Sequence, residues 1–249
     1  MSVHSRSALL SFAVATALGQ VPTAALAQQL EEIVVTARLV SESLQSAPVA
    51  VTAITSETIA NQGLRNVNDL AQFTPGLQFA QAFGRTTDRP VIRGQSNVLA
   101  GVQFGVESGA AYFVDGVYWP GDVQGLDLNT FERVEVIKGP QSALYGRNTY
   151  SGAINFITRP PTDDVEATVR AAFAQNGTQD YSFSVGSSFW DDKVGARFYA
   201  RSHDYDGEYK NTLTNQLVGD ESTDSMGVYL TWKPIEDLSF ATNLFYRED

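Results

Sequence analysis

From Asp163 onward, apolar and polar residues alternate along the chain. Val165, Ala167, Val169, Ala171 and Phe173 interleave with Glu166, Thr168 and Arg170. Tyr181, Phe183, Val185 and Phe189 do the same with Ser182, Ser184, Gly186 and Ser188, and Val194, Ala196, Phe198 and Ala200 with Gly195, Arg197 and Arg201. Met226 to Trp232 and Leu238 to Leu244 repeat the pattern. Each segment is about ten residues long with a period of two, the length and dyad of strands in a membrane β-barrel. Trp190-Asp191-Asp192-Lys193 and Pro234-Ile235-Glu236-Asp237 read as tight turns; Asp206 to Thr223 reads as a long polar loop, with a short Asn176-Gly177 turn on its side. Tight turns on one rim and a long loop on the other is the asymmetry of an outer-membrane barrel. A soluble β-sandwich alternates in the same way and stands as the alternative. Aromatic residues near strand ends (Tyr181, Phe189, Trp190, Tyr205, Trp232, Tyr246) favour the barrel.

Residues 48–160 have a different pattern, that of a compact α+β domain. Val49, Val51 and Ile54 predict a strand, and Ser56-Glu57-Thr58-Ile59 a capped helix start. Asn68-Asp69 opens a second short helix that Thr74-Pro75-Gly76 ends. Val91 to Gly94 reads as a strand, and Tyr112 to Tyr118 as a hairpin turning at Asp115-Gly116. Phe131 to Ile137 is strand-like, but its alternation is imperfect, with Glu132, Arg133 and Glu135 among apolar neighbours. Ala153 to Thr158 forms a last strand before Arg159-Pro160-Pro161.

Ahead of this domain, residues 28–47 are polar apart from the β-prone island Ile33-Val34-Val35-Thr36. So little apolar area predicts a mobile segment. Its β-branched island suits strand addition to another protein's sheet, or equally the first strand of the α+β domain. Earlier still, Arg6 precedes an apolar run from Ala8 to Leu18, and Ala25-Leu26-Ala27 offers a small-x-small cleavage pattern. The run is too short to span a bilayer, so residues 1–27 read as a secretory signal cleaved after Ala27.

Composition narrows the chemistry. The chain has 249 residues, 28 acidic against 17 basic, and a net charge of −11. That balance argues against a nucleic-acid partner, which needs clustered Lys and Arg. With no cysteine and only His4 and His203, the chain lacks the groups for disulfides, thiol nucleophiles, His-based triads and the common zinc sites. Gly139 to Gly146 lacks the Lys-Ser/Thr pair that closes a phosphate-binding loop. Asp115, Glu132 and Glu135 lie on strands or turns, where carboxylates are usually solvated or paired. No enzyme activity, cofactor or metal is expected.

Several fragments, in order, carry a family resemblance. Glu31-Glu32-Ile33-Val34-Val35-Thr36-Ala37 looks like a TonB box. Val91-Ile92-Arg93-Gly94 and Phe113-Val114-Asp115-Gly116-Val117-Tyr118 are similar to plug strands. The strongest stretch runs from Phe131-Glu132-Arg133-Val134-Glu135-Val136-Ile137-Lys138-Gly139-Pro140 through Tyr145-Gly146-Arg147-Asn148 into Ser151-Gly152-Ala153-Ile154-Asn155-Phe156, with Ser151 where the family often has Gly. Over its mature length the chain resembles the TonB-dependent outer-membrane receptors.

The resemblance implies an α+β plug domain followed by antiparallel transmembrane strands of a barrel nominally of about 22 strands. Residues 1–27 would be the signal peptide, 28–47 a mobile segment with the TonB box, 48–160 the plug, and 161–249 about five strands of a barrel that the chain holds only in part. It implies import of a scarce solute (a siderophore-iron, cobalamin or oligosaccharide class of ligand) across the bacterial outer membrane, amid outer-membrane lipid. TonB would grip Glu32, Ile33, Val34, Val35 and Thr36. Arg93 and Arg133 match plug arginines that lock onto barrel glutamates, although a salt bridge within the plug, to Glu132 or Glu135, is an equal reading. Phe83, Arg85, Tyr118 and Trp119 are candidates to face the ligand. A signal-transducing receptor would carry a further periplasmic domain before the box, for which the residues after Ala27 leave no room. A passive porin or adhesin is the alternative from another class, and it leaves residues 31–160 unexplained.

Overall fold

A computed structural model describes residues 33–37, 40–80, 89–97, 99–100, 106–120, 123 and 125–248. The proposed signal peptide and its cleavage point after Ala27, together with Glu32, Phe83 and Arg85, lie outside the described residues.

The described residues open with two short paired strands, β1 (Val34–Val35) and β2 (Glu42–Ser43). Strand β3 (Ala50–Thr55) runs into helix α1 (Ser56–Gln62), whose cap is Thr55, one residue before the expected start: the Thr55 hydroxyl accepts from the Thr58 amide at 3.3 Å. Gly63, in the left-handed region at φ 65°, ends the helix. The second helical segment also starts early, as a 3₁₀ turn over Val67–Asp69 that continues into α2 (Leu70–Phe73). Asn66 and Asp69 cap it reciprocally: Asn66 Oδ1 accepts from the Asp69 amide at 3.0 Å, and Asp69 Oδ2 accepts from the Asn66 amide at 3.2 Å. Asn66→Ala should therefore lower the denaturant midpoint of the plug by an equivalent of about 1 kcal/mol.

Strand β4 (Leu77–Ala80), which the residue pattern did not reveal, pairs with β5 (Arg89–Ile92). Arg93 and Gly94 leave that strand through left-handed backbone, φ 52° and 75°, so Arg93 sits in a turn. Strands β6 (Ala110–Val114) and β7 (Val117–Trp119) form the expected hairpin, with Asp115 at φ 50° and Gly116 at φ 78°. Then come β8 (Phe131–Lys138), the one-turn helix α3 (Ser142–Tyr145) and β9 (Gly152–Thr158). The plug sheet has the order β3-β8-β9-β6-β7; all neighbours are antiparallel except β6 and β9, which run parallel.

Strands β8 and β9 are central and covered on both faces, which explains the imperfect alternation of β8. One face carries Val134 and Val136 into a core with Ile54, Ile59, Leu70 and Phe156. The other carries Ile137 beneath a second cluster of Val35, Ala37, Ala111, Phe113 and Ala153. Residues 33–37, expected to be mobile, are thus docked on the plug. The island is too short to bury much area alone, yet the sheet offers it an apolar seat. Gly152 is not a turn glycine: a Cβ there would run into the Ile137 carbonyl oxygen, so it permits the close β8–β9 approach.

Behind the plug, β10 (Glu166–Phe173), β11 (Gln179–Phe189) and β12 (Val194–Tyr205) are followed by a small hairpin of β13 (Tyr209–Lys210) and β14 (Leu217–Val218), and then by β15 (Glu221–Ile235) and β16 (Leu238–Glu248). The long polar loop therefore holds a hairpin of its own. The five long strands make one antiparallel sheet in the order β10-β11-β12-β15-β16.

The orientation of this wall sheet separates the two readings of its alternation. A soluble sandwich would bury the apolar face. Here Val169 (77% exposed), Trp232 (52%), Phe183, Phe198, Met226 and Leu230 point to the outside. The polar face turns inward onto the plug: Arg197 is 2% exposed and donates to the Pro160 carbonyl, Arg201 is buried, and the Arg170 guanidinium meets the Asn129 side chain. Apolar outside and polar inside is the pattern of a membrane barrel around a polar interior.

Candidate functional site

The plug face under the docked segment is built around one carboxylate. Glu135 lies at the middle of β8 with its side chain 0% exposed. Arg133, on the same face, donates from Nε to Glu135 Oε1 at 2.8 Å and from its terminal nitrogen to Glu132 Oε1 at 2.6 Å. From the other side, the Thr36 amide donates to Glu135 Oε1 at 2.8 Å. The Thr36 hydroxyl lies 3.2 and 3.3 Å from the two oxygens. Val35 pairs with Glu42, and the Leu44 amide donates to the Ile33 carbonyl at 2.9 Å, so the segment is held at both ends. Tyr145 packs edge-on against Phe113 at 4.7 Å. Burial, and then the Glu135 charge, push its hydroxyl up to about 12.

Of the residues expected to bind TonB, Ile33 to Thr36 are brought together on the plug. Arg133 has the pairing within the plug, with both Glu132 and Glu135. Arg93 is not brought to it. It lies exposed near the far end of β8, close enough to Lys138 that, after burial, its charge lowers the Lys138 pKa. Among the described residues Arg93 has no carboxylate partner. The Lys138 ammonium itself donates to the Pro75 carbonyl at 3.0 Å. Asp115 is a structural tie: its carboxylate accepts from the Thr158 amide and hydroxyl at 2.8 and 2.7 Å, fixing the hairpin to β9.

Tyr118 and Trp119 lie on β7, where the plug meets the wall. Tyr118 is exposed and stacks edge-on with Phe113 at 5.9 Å; burial, then Glu107, raise its pKa. Trp119 packs edge-on against Phe245 of the wall, also at 5.9 Å. Both border a cavity of about 400 Å³ between plug and wall, closed on the wall side by Tyr199, Tyr229, Asn243 and Phe245. That is the size of a small-molecule site. Nothing in the sequence singles out these four wall residues, because the alternation marks a face of the sheet and no position within it.

Comparison with known proteins accords with this geometry. Residues 43–153 match the TonB-dependent Receptor Plug Domain family. The catecholate siderophore receptor Fiu of Escherichia coli strain K12 is 31% identical over 154 residues, 57% of this chain and 19% of that protein. The probable TonB-dependent receptor BfrD of Bordetella pertussis is 31% identical over 151 residues, covering 58% and 19%. The chain thus spans about a fifth of the length of these relatives. Among solved structures, the ferric yersiniabactin uptake receptor FyuA from Yersinia pestis superposes with a TM-score of 0.67 at 20% identity, over 76% of this chain and 29% of that one. Plug, wall orientation and family match agree: residues 43–153 match the TonB-dependent receptor plug domain, and the chain shares the fold of the plug and first wall strands of outer-membrane receptors.

Proposed function

We propose that the protein bearing this chain imports an iron–siderophore complex across the outer membrane, with energy delivered by TonB at Glu32 to Thr36. The observation that carries the reading is a β-prone strand seated on a plug that is itself lined by a barrel-type wall. A strand held largely by backbone pairing and one carboxylate can be passed to another protein's sheet edge, because such pairing demands little of sequence. The siderophore class is supported by the relatives, named as receptors for catecholate siderophores and for ferric yersiniabactin. Tyr118, Trp119 and the adjoining cavity are the part of the ligand path to which this chain contributes, with Phe83 and Arg85 as further candidates; aromatic faces and guanidinium groups suit a catecholate complex. Arg93 and Arg133 would lock the plug onto barrel carboxylates while the seam is closed, and both groups can be rehydrated when it opens. A passive porin leaves the plug without a role.

The test is uptake of radiolabelled iron on a panel of catecholate and hydroxamate siderophores by cells expressing the complete protein. Deleting residues 33–36 should reduce uptake to the level of cells without the protein, while siderophore binding at the cell surface is retained. Uptake that survives the deletion would exclude energy coupling through this segment. Growth on an oligosaccharide, with no response to any iron complex, would exclude the siderophore class alone.

A further inference from the structure

Glu135 carries more than its place in a strand requires. It is the only fully buried acidic side chain among the described residues, and its Oε1 is shared between two donors on different parts of the chain: the Arg133 guanidinium on its own strand and the Thr36 amide on the docked segment. The Thr36 hydroxyl has the same carboxylate within reach. Around this polar centre the contacts are apolar, with Val35 and Ala37 covering Phe113, Ile137 and Ala153. A buried carboxylate is tolerable only while its hydrogen bonds and countercharge are complete. Lifting residues 33–36 removes the Thr36 donors and leaves Glu135 with Arg133 alone, in a site that has just lost its cover. Undocking is therefore opposed at this carboxylate as well as by the apolar cover, and the same carboxylate orients Arg133.

Resting on the reading of residues 33–36 as the TonB-binding strand, we propose that Glu135 is the positioning residue that withholds this strand on the plug. The strand is stored, and the force that frees it must break the Glu135–Thr36 contact. Because Arg133 holds the same oxygen, a shift of Arg133 away from Glu135 weakens the seat from the opposite side. Glu132 differs in this respect: it pairs with Arg133, is 43% exposed on its side chain, and has no contact with Thr36.

Residues 1–249 hold no cysteine, so Val35→Cys, with any cysteine elsewhere in the complete protein replaced by Ser, gives a single thiol at a position that is 0% exposed while the strand is docked. Maleimide labelling of the purified protein, with neither TonB nor siderophore present, then reads docking alone. Labelling should be slow in Val35→Cys and about tenfold faster when Glu135→Gln is added, since a hydrogen bond to a charged acceptor is replaced by one to a neutral acceptor. Adding Glu132→Gln should leave the rate within about twofold of the parent, as the Glu132 end of its pair with Arg133 is partly in water and does not touch the strand. Thr36→Val, which removes only the hydroxyl and leaves the plug core untouched, should accelerate labelling by about threefold and serves if Glu135→Gln folds poorly. Fast labelling of Val35→Cys itself, no acceleration by Glu135→Gln or Thr36→Val, or equal acceleration by Glu132→Gln would overturn the proposal. Since no transport is measured, failure of the import reading would show instead as normal labelling with no siderophore uptake.

Discussion

Phe198→Arg should destabilise the membrane-inserted protein by about 2–4 kcal/mol, whereas Asp204→Arg on the same face of β12 should cost at most about 1 kcal/mol. Residues 198, 200, 202 and 204 share the outward face, so the two positions differ in depth and not in side. Phe198 lies near the middle of the strand, level with Val185 and Val228 on its neighbours, and it packs against Phe183 at 6.2 Å. Asp204 lies near the rim that carries the β13–β14 hairpin. A charge at mid-depth in hydrocarbon has to draw in water or reach the interface, while one at the rim is already hydrated. The measurement is the unfolding free energy of the protein folded into lipid vesicles. Equal costs at the two positions would mean that this face is not in lipid, and the wall would have to be covered by protein.

The wall was legible in the sequence because a sheet with one apolar face writes a period of two, and Val165 to Leu244 holds that period through five strands. The direction in which the apolar face points was not legible. Alternation is the same for a sandwich and for a barrel; the exposure of Val169, Met226 and Trp232 together with the burial of Arg197, Arg201 and Tyr199 on the opposite face distinguishes them. The Asp115-Gly116 hairpin could be read because its left-handed backbone demands those residue types. Strand β4 was hidden: Leu77 to Ala80 is four residues long and bears no mark apart from the preceding Pro75-Gly76. The site was hidden for a related reason. In a strand buried on both faces, a Glu reads as a defect in the pattern. Its meaning lies in Arg133, two residues away, and in Thr36, ninety-nine residues away. No local pattern connects Thr36 to Glu135, which is also why residues 33–37 read as mobile.

Arg133→Ala should be the most damaging single change in the plug, lowering its stability by about 3–5 kcal/mol, because it strands a buried carboxylate without its countercharge. Glu132→Ala, on the exposed side of the same guanidinium, should cost under about 1 kcal/mol. Denaturant midpoints of the two variants, followed by protease protection of residues 43–153, would give the comparison. Replacing both members of the buried pair, as Arg133→Met with Glu135→Leu, should restore the midpoint to near or above that of the parent, since well-packed apolar side chains of similar volume often match or exceed a buried ion pair in stability. The same double variant should still label rapidly at Val35→Cys, because Leu offers the Thr36 amide no acceptor. Stability recovered together with docking lost would separate what the ion pair does for the plug from what Glu135 does for the strand. A double variant as unstable as Arg133→Ala would instead assign the loss to the packing of the arginine stem. In the first outcome the charged pair persists at a site where apolar residues would fold at least as well, and its function is then the reversible hold on residues 33–36: a carboxylate can release an amide to water, and a leucine can neither hold it nor let it go.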